Sequence, residues 1–246
     1  MAMRPLAAVP TISIDQPGTT DISSASTTGS GPYTYAYTVV AANAGTYVDG
    51  TATVTVSGTD LAGNTGTTIT SGGTFAIDTT PPTVTSVVRA SSAVALTTGA
   101  SAPVFTVTFS ESVSGVTTAN FTVNAGNGIR GTAPTVASVT GSGTSWTVTL
   151  GVTGTTGNYG TTSTATLGLT VDPSGASVTD AAGNALTSAA VSGTNQSYNL
   201  DTTAPTAAVT YSPNRTVKSG ETLTITATFN EAMTTAPTIA QSSTVT

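Results

Sequence analysis

The chain has 246 residues, of which only 7% are charged, with a net charge of −6 and neither cysteine nor histidine. Disulfides, thiolate and imidazole chemistry and the usual zinc or copper ligand sets are therefore absent. The only basic residues are Arg4, Arg89, Arg130, Arg215 and Lys218, too few for the basic stripe that nucleic-acid binding requires.

Thr, Ser, Gly and Ala dominate, Val is the leading large aliphatic, and strong helix formers are sparse. β-branched residues suit a pleated surface and Gly, Asn, Asp and Pro punctuate turns, so the composition points to an all-β chain. No 18-residue apolar run exists to span a bilayer as a helix. Residues 1–8 read as a tail whose apolar run is too short for a secretory signal, so export information is expected outside this segment.

In chain order, a first domain is expected over 9–80. Tyr33, Tyr35, Tyr37 and Val39 share one parity, as do Val54 and Val56, which predicts half-buried strands. Asp49-Gly50 reads as a hairpin turn. A second domain is expected over 81–203. Its apolar sets are Phe105/Val107/Phe109, Phe121/Val123, Trp146/Val148/Leu150/Val152 and Leu167/Leu169/Val171. With 82–88, 176–178 and 197–200 they make about seven strands, the pattern of an immunoglobulin-like sandwich. A third, incomplete domain is expected over 204–246, with strands at 207–211, 223–229 and 238–244. Half a sandwich exposes open edges, so an identical chain supplying the missing strands in a fibre is one alternative.

A composite phrase repeats along the chain. Asp60-Leu-Ala-Gly-Asn64 precedes Asp78-Thr-Thr-Pro-Pro82, and Asp180-Ala-Ala-Gly-Asn184 precedes Asp201-Thr-Thr-Ala-Pro205. Each second phrase leads to a strand ending in Phe-x-Glu, at Glu111 and Glu231. Asp78 to Asp201 is 123 residues and Glu111 to Glu231 is 120, which indicates tandem copies of one domain type.

These phrases resemble bacterial Ig-like repeat domains, which build the extender regions of large surface adhesins. The resemblance covers the chain from about residue 9. It implies tandem immunoglobulin-like β-sandwiches, an extracellular, non-enzymatic structural role, neighbouring repeats as partners, and junctions often rigidified by calcium.

Walking a seven-strand sandwich places the linker acid Asp78, Glu111 at the end of the second strand and Asp180 at the end of the sixth on one pole. Three adjacent carboxylates repel unless a cation or proton sits among them. Ca²⁺ suits an all-oxygen set, with Thr79, Thr80 and Asn184 as supplementary donors. Asp201 and Glu231 are expected to form a second, half-built junction. At the first domain Asp60 stands without an acidic partner, since Ala41-Ala-Asn43 replaces the acidic strand end. Plain turn chemistry is the competing reading of the same Asp, Asn and Thr residues. Aromatic sugar platforms at Trp146 or Tyr33/Tyr35/Tyr37 would make the chain a host glycan- or protein-binding module, with strand packing as the alternative. Asn120, Asn195 and Asn214 begin N-glycosylation sequons.

Overall fold

The computed structural model describes residues 6–18, 21–43, 45–90, 95–96, 102–126, 134–151, 164–201, 204–233 and 235–238. The chain is all-β, with several separate sheets. Among the described residues no helix is long and apolar enough to cross a membrane.

The first sheet contains β1 (Thr11–Asp15), β2 (Ile22–Ser26), β3 (Gly50–Thr59), β4 (Thr65–Gly66) and β5 (Thr74–Ile77). β3 is its spine. It pairs with β1 from Thr53 to Ser57, with β5 from Gly50 to Thr53, and with β4 at its end. Alternation along β3 puts Ala52 fully inside and Val54 and Val56 half inside. Tyr33, Tyr35 and Tyr37 alternate in burial as expected, yet the segment forms no strand beyond a bridge at Thr34. Tyr35 and Tyr37 instead pack over Ile14, Ala52 and Ile77, a small core. The expected Asp49-Gly50 hairpin is not formed. The chain reverses earlier, where Asn43 N donates to Tyr47 O at 2.9 Å, and Gly50 already belongs to β3.

The second core is much larger. β6 (Val84–Arg89), β8 (Val104–Phe109), β10 (Val136–Ser142) and β11 (Ser145–Leu150) form a sheet in the order β10-β11-β8-β6. β7 (Ala95–Leu96), β9 (Phe121–Ala125), β12 (Thr164–Val171) and β13 (Tyr198–Asp201) form its counterpart in the order β7-β13-β12-β9. The apolar parities converge between them. Phe105, Val107, Phe109, Val148 and Leu150 from one sheet meet Phe121, Leu167, Leu169, Val171 and Tyr198 from the other. Phe105 and Tyr198 meet edge to face at 5.2 Å, and the Tyr198 hydroxyl donates to Val104 O at 2.6 Å. A bulky side chain thus fills the core while its polar tip is satisfied across the sandwich.

Two expectations fail here. Residues 176–178 form a loop, followed by Thr179, which bridges Ser114 and Ala185. Among the described residues, eight strands rather than about seven lie between Val84 and Asp201. β10 escaped the pattern because Val136 and Val139 are its sole large apolar residues, and two-residue β7 is too short to carry a period. Val152 falls outside the described residues. Asn120 is fully buried, its side chain bonded to Thr117, Asp172 and Ala176, so its sequon is closed to glycosylation in the folded chain.

Beyond Asp201, β14 (Ala207–Ser212) and β15 (Thr224–Phe229) pair as an antiparallel hairpin. Its paired residues put Ala207, Val209, Tyr211, Ile225, Ala227 and Phe229 on one face and mostly Thr on the other. Val209, Tyr211 and Ile225 remain 40–52% exposed. The third expected strand, over 238–244, lies almost wholly outside the described residues.

Candidate metal centre

Between β5 and β6 the chain passes through Asp78-Thr-Thr-Pro-Pro82, where two prolines fix φ. The sequence here reads as a connector, but it is held from both sides. Asp49 Oδ1 accepts from Thr79 N at 2.9 Å and Thr79 Oγ1 at 2.8 Å, and Asp49 Oδ2 accepts from the Thr80 hydroxyl. Ala42 N donates to Thr79 Oγ1 at 2.7 Å. From the other side, Asn184 Nδ2 donates to the Asp78 carbonyl at 3.1 Å.

Two backbone ties position Glu111. Ser110 and Thr83 are joined by two bonds, Ser110 N to Thr83 O at 2.9 Å and Thr83 N to Ser110 Oγ at 3.0 Å. Three residues after Glu111, Ser114 N donates to Thr179 O at 2.8 Å and Thr179 N returns to Ser114 O at 3.1 Å. The first tie holds the end of β8 against the linker, and the second holds it against the loop that carries Asp180.

That loop is self-bonded. Asp180 Oδ1 accepts from Gly183 N at 2.7 Å and Asn184 N at 2.8 Å, and Oδ2 accepts from Asn184 Nδ2 at 2.8 Å. Gly183 takes φ +96°, a region that favours glycine. The earlier copy matches: Asp60 Oδ1 accepts from Ala62 N and Asn64 N, Oδ2 accepts from Asn64 Nδ2, and Gly63 takes φ +88°. The repeated Asp-x-Ala-Gly-Asn phrase therefore encodes one turn, made twice.

Together these constraints bring one carboxylate oxygen each from Asp78, Glu111 and Asp180 within 4.8 Å of one another. Oxygens on opposite sides of a calcium ion lie about 4.6–5.2 Å apart, given Ca–O distances of about 2.3–2.6 Å. The spacing and the all-oxygen donor set therefore fit a divalent hard cation. Asp180 is 5% exposed, Glu111 half-buried and Asp78 exposed, so an ion would be reached from the Asp78 side.

The electrostatics agree with an unsatisfied anionic centre. Burial pushes the Glu111 carboxyl above its ordinary range, and the charges of Asp78, Asp180 and Asp49 push it the same way. Asp180 behaves oppositely. Burial alone would raise it, but the bonds from the Asn184 side chain and from the loop amides outweigh that and hold it low. Asp49 is held low by the Thr80 hydroxyl and by Thr79, which together overcome its own desolvation. A proton on Glu111 or a cation among the three acids relieves the same repulsion.

The other candidate residues are placed less completely. Asp180 sits nine residues beyond the end of β12 in the loop just described, not at a strand end, although its destination agrees with the sequence argument. The Thr79 and Thr80 hydroxyls are engaged by Asp49 rather than directed to the acids. The Asp201 side chain lies outside the described residues. Glu231 follows β15 and is half-buried, with Oε1 buried and unbonded among the described residues, and no third acid joins it. Asp60 likewise belongs to no group of three acids among the described residues. Asp49 was missed altogether. Its sequence context is a Gly-linked turn, and nothing in its spacing announces that it grips a linker 30 residues later. Trp146 is half-buried against the large core and donates Nε1–H to Gly143 O at 3.2 Å, a packing role rather than a platform.

No family model matches the chain, and neither the curated proteins nor the solved structures contain a match.

Proposed function

We propose that this chain is a structural segment of a bacterial surface protein, built from tandem immunoglobulin-like sandwiches whose junction is stiffened by calcium. The observation that carries the proposal is the origin of the three acids. Asp78 belongs to the linker leaving the first core, whereas Glu111 and Asp180 belong to the loops of the second. An ion bound there would tie the linker to the sandwich that follows. Joining consecutive units needs no catalysis, and a non-enzymatic, extracellular role accords with this reading. Millimolar extracellular calcium suits such a site, since extracellular modules bind it with Kd of about 10⁻⁴–10⁻³ M.

The test is a calcium titration of metal-free protein, followed by thermal melting and small-angle scattering. A ligand bound only by the folded form raises its stability by mass action. The expected result is a higher Tm for the large sandwich and a narrower distribution of particle dimensions. Glu111→Gln should abolish both responses. Unchanged melting and scattering at millimolar calcium would defeat the calcium reading, and a response surviving Glu111→Gln would move the site elsewhere.

A further inference from the structure

The first sheet carries a cavity of about 480 Å³, lined by Tyr33 and Tyr35 together with Ile12 of β1 and Val56 of β3. Its size falls within the usual range for small-molecule sites, about 300–1,000 Å³. Two glycines help to make it. Gly58 and Gly66 also line the cavity, and a Cβ added at Gly66 would meet only the Gly58 carbonyl at 3.9 Å.

The lining specifies a ligand chemistry. Among the described residues, no carboxylate, ammonium or guanidinium lines the cavity, and these residues offer an ion no counter-charge for the hydration it would lose. The tyrosine rings and the aliphatic floor offer apolar contact to one face of a ligand. Tyr33, Tyr35 and the exposed Thr68 each bring a hydroxyl without a hydrogen-bond partner among the described residues. Tyr37 differs, because its hydroxyl is committed to Gln16. A purely apolar ligand would strip water from these hydroxyls and return nothing. A ligand with apolar ring faces and hydroxyls around its edge answers both demands.

We infer that this cavity is a binding site for a neutral saccharide, with Tyr33 and Tyr35 as stacking surfaces. It stands apart from the calcium reading, and neither depends on the other. The experiment is NMR of the full chain labelled at tyrosine, titrated with maltose, lactose and chitobiose, with glucuronate and N-acetyl-leucinamide as charged and apolar controls. The expected result is saturable shifts of the Tyr33 and Tyr35 ring signals with at least one neutral disaccharide and none with glucuronate. Gly66→Leu, which fills the cavity, should weaken binding at least tenfold. Tyr33→Phe keeps the ring and should weaken it about three- to tenfold through one lost hydrogen bond. Should Gly66→Leu disturb the sheet, Tyr33→Phe and Tyr35→Ala decide. The inference is overturned if none of the three disaccharides gives saturable shifts, if binding is unchanged in the variants, or if only N-acetyl-leucinamide binds.

Discussion

The side-chain amide of Asn184 donates to Asp180 Oδ2 at 2.8 Å and to the backbone carbonyl of Asp78 at 3.1 Å, a residue 106 positions earlier. One amide thus closes its own turn and fastens that turn to the linker. Asn64 makes only the first of these bonds, to Asp60 Oδ2 at 3.0 Å.

This asymmetry predicts unequal effects of the same substitution. Asn184→Ala should lower the melting temperature of the large sandwich by a few degrees and weaken calcium binding, because Asp180 loses a fixing donor and the linker loses its tie. Asn64→Ala should leave both nearly unchanged. Melting curves of the two variants with and without calcium check this. Equal effects would contradict the linking role of Asn184.

The pH dependence of the metal-free protein follows from acids shifted in opposite directions. Glu111 is raised above its usual 4.5, so its contribution is present at low pH and is lost as pH rises through the raised value. Asp180 and Asp49 are lowered below 3.8, so their contributions are present above that value and are lost as pH falls through their lowered ones. Without metal, these three groups should therefore favour the fold most between the ordinary aspartate value of 3.8 and the ordinary glutamate value of 4.5. Glu111→Gln should remove the decline towards neutral pH and leave the acid limb intact. Calcium, which requires the carboxylate form, should shift the optimum to neutral pH. Melting temperatures recorded from pH 3 to 8 test each limb.

Asp49→Ala should loosen the junction without disturbing the large core. Three donors, Thr79 N, Thr79 Oγ1 and Thr80 Oγ1, lose their acceptor, while Asp49 is no part of the large hydrophobic core. Backbone relaxation should show increased motion at residues 78–81, with β8 and β12 unaffected. Rigid linker amides in this variant would assign the stiffness to the prolines alone.

Asn120→Ala should destabilise the large sandwich by about 2–3 kcal/mol, since a fully buried amide bonded to three neighbours is deleted and backbone groups of Thr117, Asp172 and Ala176 lose partners. Urea unfolding measures it. A loss below about 0.5 kcal/mol would mean that water replaces the amide.

The second sandwich was legible where apolar residues alternate strongly. Phe105, Val107 and Phe109, or Leu167, Leu169 and Val171, announce both a strand and its inward face. β10 was not, because Gly and Thr occupy a strand held by its partners rather than by its own hydrophobicity. The convergence of Asp78, Glu111 and Asp180 could be argued by walking the strands of a seven-strand sandwich, yet the expected sixth strand, 176–178, is a loop. Turn chemistry and acid clustering are competing sequence readings of Asp180. The structure makes them compatible, with Oδ1 closing the turn while the carboxylate still joins the acid group. Asp49 could not be read in advance, because its role depends on where two distant segments meet.

The grip on the linker also fixes how the chain would give way under load. Tension along the backbone leaves β5, crosses 78–83 and enters β6. Hydrogen bonds from Asp49, Ala42 and Asn184 attach sideways to that path at 78–80, and Ser110 holds it at Thr83. Thr79 and Thr80 cannot straighten until those bonds break, and the three residues 78–80 then span at most about 10 Å. Rupture at this point would lengthen the chain slightly without opening either hydrophobic core, since residues 78–80 belong to neither.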